Sequence, residues 1–171
     1  MRARFVFALA GVAATLAACG PPEAGKPVSI AELCNQPDGS RVRLDGWLRY
    51  RRGLLSFCSE TNGQATSCDL ALYADATQPQ DFNVMGPPRT GPEPVHARLT
   101  VKVGAGAGKM DDLPERFQAS DVKLHLDGGK VATDGDRVVI DGKLSVIPPM
   151  PGKESEPKSC FVYVDWAEAP G

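Results

Sequence analysis

The chain has 171 residues, 42% of them hydrophobic and 23% charged, which is room and material for one globular domain. A formal net charge of −2 gives it no electrostatic reason to seek nucleic acid, and it argues against a polybasic membrane patch. Two histidines and five cysteines restrict the site chemistry the chain can carry.

Residues 1–18 open with Arg2 and Arg4, continue as an apolar run from Phe5 to Leu16 and end in small residues, the layout of an export signal. The run is shorter than the roughly 20 apolar residues a membrane span requires. Leu16, Ala17, Ala18 and Cys19 spell L-A-A-C, which resembles the lipobox of bacterial lipoproteins. The resemblance implies that the Cys19 thiol takes a diacylglycerol, that the signal is cut before it, and that acyl chains such as palmitate then anchor the protein. At about 0.8 kcal/mol per buried methylene, several chains make that anchor essentially permanent. Gly at position 20, where Asp would be the alternative sorting residue, points to the outer membrane, with the domain facing the periplasm. Loss of residues 1–18 removes two arginines and no acid, taking the net charge from −2 to −4.

Residues 19–28 carry the lipidated Cys19 and then GPPEAGKPV, rich in Pro and Gly, and are expected to act as a flexible tether ahead of a domain at 29–171. Ser29 to Leu33 suits one helical turn, with Ser29 as N-cap and Glu32 placed for a capping box. A first strand is expected over Arg41 to Arg51, with Leu54 to Cys58 extending it or standing apart. Asn62-Gly63 lies in a polar loop of the kind that joins antiparallel strands, and Cys68 to Tyr73 alternates as a second strand. Ala74 to Pro94 holds five prolines and reads as a loose connection. Val95 to Val103 is a third alternating strand. Gly104 to Gly108 reads as a flexible connector, and Asp111 to Phe117 as a helical turn. Val122, Leu124 and Leu126 before Asp127-Gly128-Gly129 suggest a short hairpin. Cys160 to Trp166 is the last strand, reached across a Pro-rich loop from Pro148 to Pro157.

One stretch is written twice. Asp38 to Leu48 reads DGSRVRLDGWL and Asp134 to Leu144 reads DGDRVVIDGKL. In each copy an Asp-Gly turn feeds a strand, with Val42, Leu44, Gly46, Leu48 and Tyr50 on one face and Val138, Ile140, Gly142, Leu144 and Val146 on its counterpart. A glycine inside such a run marks a bend where the strand curls.

Several short strands with little helix point to a small barrel or sandwich. Their order resembles the OB-fold: a three-strand meander, an excursion, then a closing hairpin, making a small closed barrel of about five antiparallel strands. The resemblance implies that strand one borders strand four, the places where the two copies of the motif fall. Cys34, Cys58, Cys68 and Cys160 form an even set suited to an oxidising compartment, for which three pairings exist. The OB-like arrangement selects Cys34 with Cys160 and Cys58 with Cys68.

No motif for catalysis emerges. Gly104 to Met110 (GAGAGKM) has Val103 where a phosphate loop needs glycine and Met110 where it needs Ser or Thr. His96 and His125 have no second histidine at ligand spacing, so no metal site is expected. Asp134, Asp136 and Asp141 miss the calcium-loop pattern and read as turn residues. No G-x-S-x-G or serine-base pairing appears, and no cofactor is expected. What remains is a face of the first strand bearing Arg41, Arg43, Asp45, Trp47, Arg49 and Arg51, with Arg52 beside them. Guanidinium forks grip carboxylate and phosphate, so this face is a candidate platform for an anionic envelope component. The expectation is a non-catalytic, membrane-anchored binding or accessory module. The alternative is a structural envelope protein that meets a partner protein through its Pro-rich loops.

Overall fold

The computed structural model describes residues 22–50, 58–61, 64–76, 95–114, 117–156 and 158–171. The lipobox, Arg51, Arg52, Leu54, Asn62-Gly63 and most of the Pro-rich connection after Ala76 lie outside these residues.

In chain order the strands are β1 (Lys26–Pro27), β2 (Arg41–Arg49), β3 (Cys58–Thr61), β4 (Gln64–Tyr73), β5 (His96–Val103), β6 (Lys109–Met110), β7 (Leu124–His125), β8 (Val131–Ala132), β9 (Arg137–Ile147) and β10 (Ser159–Glu168). Among the described residues the five longest close into a ring in the order β2, β9, β10, β5, β4 and back to β2. This all-β ring is the OB-like order expected from the sequence, with the first long strand beside the fourth. Four junctions are antiparallel; the β5–β10 junction is parallel, with Val162 level with Leu99. The parallel junction follows from closing an odd number of strands: direction cannot alternate all the way around.

The two copies of the repeated motif are the β2–β9 pair, and they meet about a local two-fold. Leu44 and Ile140, the same position in each copy, sit opposite one another. Each Asp-Gly turn then clamps the other copy's strand with the same three bonds. Gly39 N–H donates to the Leu144 carbonyl (2.9 Å), Leu144 N–H to the Ser40 carbonyl (2.9 Å), and Val146 N–H to the Asp38 carboxylate (2.8 Å). In the mirror set Gly135 donates to Leu48 (2.9 Å), Leu48 to Asp136 (2.8 Å), and Tyr50 to the Asp134 carboxylate (2.6 Å).

The alternating face points inward as the period of two requires. Val42, Leu44, Leu48, Leu70, Leu72, Leu99, Val101, Val138, Ile140, Leu144 and Val162 are all buried. Full burial of each such side chain contributes about 1.5–3 kcal/mol. Ile30 and Leu33, on a 3-10 turn over Ile30–Asn35, and Val122, Leu124 and Leu126 join the same core. Ser29 is the N-cap of that turn, but its hydroxyl makes no capping bond, and Glu32 accepts from Asn35 instead (2.8 Å). The β7–β8 hairpin forms where expected.

Gly46 and Gly142 mark the bends. A Cβ on Gly46 would lie 2.5 Å from the Tyr73 carbonyl oxygen and 2.9 Å from Leu72 Cγ; one on Gly142 would strike the Tyr163 carbonyl oxygen and the Val162 side chain. At each bend the backbone of a third strand crosses where a side chain would be. Opposite Gly142 the β10 register slips between Val164 and Trp166. Gly142→Val should therefore cost about 1–3 kcal/mol through overpacking, read as a lowered midpoint in urea.

Three sequence expectations change. Residues 25–28 are docked and not a free tether: Lys26–Pro27 pair in parallel with β2, and Val28 packs on the core. The glycine run is a tight turn in which Gly104, Gly106 and Gly108 take positive φ and return the chain beside β5 as β6. Residues 111–114 are non-helical; a 3-10 turn follows at Ala119–Asp121.

Both cysteine pairs stand at disulfide distance, Cys34 with Cys160 (Cα–Cα 5.5 Å) and Cys58 with Cys68 (4.1 Å). The first spans 126 residues and the second 10. In the chain-entropy account, losing the long bridge should cost about 2 kcal/mol more than losing the short one. Comparing urea midpoints of Cys34→Ser/Cys160→Ser with Cys58→Ser/Cys68→Ser checks this.

Candidate functional site

The arginine face is on the outer side of β2, and the charge of its described arginines, Arg41, Arg43 and Arg49, is spent within the protein. Arg41 donates to the Glu23 carbonyl through Nε (3.0 Å) and to Asp165 through Nη1 (2.9 Å). Arg43 bridges Asp141 and Glu168, one carboxylate on each arm of the fork. Partial burial opposes its charge; the Glu168 hydrogen bond and the attraction of Asp141 outweigh that and raise its pKa above the ordinary value. Asp45 holds Arg137 in a two-pronged pair (2.9 and 2.8 Å). Trp47 is half-buried against Ala71 and Tyr73.

Arg49 departs furthest from an exposed platform. It is 7% exposed, lies over the Asp134-Gly135 turn and donates to the Ala76 carbonyl (2.9 Å). As a set, Arg41, Arg43 and Arg49 are structural cations, and an anion would have to displace their own carboxylates and carbonyls.

Asp141 corrects a second expectation. It is no turn residue: it stands mid-strand in β9, 2% exposed, accepting from Gly25 N–H (2.7 Å) and from Arg43. A buried carboxylate is tolerated only when paired and hydrogen-bonded, and here the N-terminal strand supplies half of that satisfaction. The signal for it lay in the repeat: Asp is depleted in strands, yet both copies place one inside the alternating run. Asp134 and Asp136 do serve turns, Asp136 taking Thr133 N–H at 2.7 Å. Asp141→Ala should lower stability by about 2–3 kcal/mol, discounted for the partial exposure of Arg43. It should also speed amide exchange at Gly25 and Val28 relative to Leu99.

The histidines find local partners. His96 stacks on Tyr73, centroids 5.2 Å apart, and His125 Nε2 meets Asp111 at 2.8 Å. Among the described residues no three of His, Cys, Asp and Glu gather in a way that could hold a metal.

A different face is chemically open. Period-two alternation sends Ser67, Asp69 and Ala71 of β4, Arg98, Thr100 and Lys102 of β5, and Phe161, Tyr163 and Asp165 of β10 outward, in register across the sheet. Lys143 of β9 stands level with Tyr163 on the other side. Asp69 accepts from Arg98 (3.1 Å) and Thr100 (2.9 Å), and the Arg98 guanidinium lies over Phe161, 5.7 Å from the ring centre. Phe161 and Tyr163 meet edge to face at 6.1 Å, and Tyr163 is 46% exposed. Between these strands runs a groove of about 430 Å³ lined by Ser67, Thr100, Lys102, Tyr163 and Asp165. Lys102 and Lys143 are exposed, and among the described residues neither has an ion-pair partner.

In the comparisons with known proteins, no family model matches the chain and no curated protein matches it.

Proposed function

We propose that the protein is a lipid-anchored, non-catalytic binding module of the cell envelope, facing the periplasm from the outer membrane, whose binding surface is the outer face of β4, β5, β10 and β9. The observation that carries this reading is the pair of exposed lysines, Lys102 and Lys143, that have no ion-pair partner among the described residues and flank the half-exposed Tyr163. A lysine kept out of ion pairs and next to an aromatic ring suits an anionic ligand with an apolar part. The anionic-component reading therefore stands on these residues and no longer on Arg41, Arg43, Trp47 and Arg49. The L-A-A-C pattern ending at Cys19 supports the anchor, and the two cysteine pairs suit an oxidising compartment.

A second reading, a structural envelope protein that meets a partner through its Pro-rich loops, is favoured by Ile147 at the end of β9 and Met150 beyond it, 47% and 63% exposed. Crosslinking in intact cells, followed by identification of what is captured, separates the two. Under the first reading Lys102→Glu with Lys143→Glu loses the captured molecule while the melting temperature stays near its original value. Under the second, Ile147→Ser with Met150→Ser loses it. Full capture by the lysine variant would defeat the first reading.

A further inference from the structure

The N-terminal segment ties the lysine face to the anchor. Gly25 is buried and held by Asp141, and Lys26–Pro27 are hydrogen-bonded along β2. Two residues earlier the Glu23 carbonyl is held by Arg41, whose other nitrogen bonds Asp165, a wall of the groove. Glu23 is therefore one guanidinium away from the groove. It stands four positions after Cys19, and an extended chain covers at most about 3.6 Å per residue, so the anchor lies within about 14 Å of Glu23. A domain of about 150 residues has a radius of gyration near 15 Å and is thus roughly 40 Å across. A leash this short lets only the side of the domain that carries Glu23 reach the headgroups.

That side is chemically distinct from the rest of an acidic protein. Its outer-facing charges are Arg41, Arg98, Lys102 and Lys143 against Glu23, Asp69 and Asp165; Arg41 pairs with Asp165 and Arg98 with Asp69, and among the described residues both lysines stand outside any ion pair. Attraction to a charged surface decays over a Debye length, about 10 Å at 0.1 M salt, so lysines count only when held this near. Exposed tyrosine is the side chain that settles at the headgroup level, ring toward the acyl boundary and hydroxyl toward water.

We infer that the face bearing Lys102, Lys143 and Tyr163 lies against the phosphate-bearing headgroup layer of the membrane that holds its own anchor. This rests on the lipid-anchored reading above and names the partner of the same surface. The docked strand sets the orientation, the lysines meet lipid phosphates, and the groove beside Tyr163 takes in a headgroup.

The test uses the full acylated protein in phosphatidylcholine vesicles containing phosphatidylglycerol with brominated acyl chains. With Tyr163→Trp, emission should be quenched beyond the quenching seen for Trp47 and Trp166 alone, and adding Lys102→Glu with Lys143→Glu should abolish the excess. In the unsubstituted protein, amine-reactive labelling of Lys102 and Lys143 should fall on vesicles relative to detergent micelles, a readout independent of whether the tryptophan variant folds. Acylated, vesicle-bound protein with no excess quenching and undiminished labelling would overturn this inference and leave the anchor standing. Protection of the lysines only when envelope proteins are added would assign the face to a protein and also overturn it. An intact mass lacking acyl groups would overturn both readings together.

Discussion

The structure depends on a reciprocal clamp between two copies of one short motif. Each Asp-Gly turn hydrogen-bonds the far end of the other copy's strand, and the Asp38 and Asp134 carboxylates each cap a backbone N–H that the sheet leaves open. A one-residue slip would break both caps and turn the apolar faces of the two strands outward, so the paired clamps fix the β2–β9 register. With that register set, Gly46 and Gly142 fall where β4 and β10 cross over them. The sheet can then curl from both sides of the pair until β5 closes it. Closure removes the free edges that an open sheet of this size would present.

The clamp also explains why so much of the arginine face is occupied. The repeat puts an aspartate inside each strand, and a strand aspartate needs a cation. Asp45 takes Arg137 at the surface, where the pair is worth little, whereas Asp141 is buried and binds both Arg43 and the N-terminal strand. One motif thus has two fates, decided by whether a further segment covers it. Because Gly25 completes the Asp141 site and Lys26–Pro27 pair with β2, residues 25–28 are part of the domain.

The open face owes its character to what is left after those pairs are made. Arg98 and Asp69 neutralise one another, as do Arg41 and Asp165, and both pairs flatten charge without hiding it. Lys102 and Lys143 sit in strands whose neighbours at the same level, Ser67 and Tyr163, carry no acid. The parallel pairing of β5 with β10 ends at Thr100 and Tyr163, and the groove lies beside that end, with Lys102 and Asp165 in its walls.

From its residues alone the chain determined its long strands, their inward faces and the bending glycines, because local periodicity suffices for these. The neighbouring places of the two repeat copies, and with them the choice among three cysteine pairings, came only from the resemblance to the OB-fold. Tertiary structure alone decided which charges remain free. Arg41, Arg43 and Arg49 read as a platform because alternation reports which way a side chain points, not what lies across from it; their partners Asp165, Asp141 and Ala76 stand 124, 98 and 27 residues away. The lysine and tyrosine face was illegible for the same reason. Lys102, Lys143 and Tyr163 come from three strands, two of them meeting across a parallel junction, and only the closed ring brings them onto one surface.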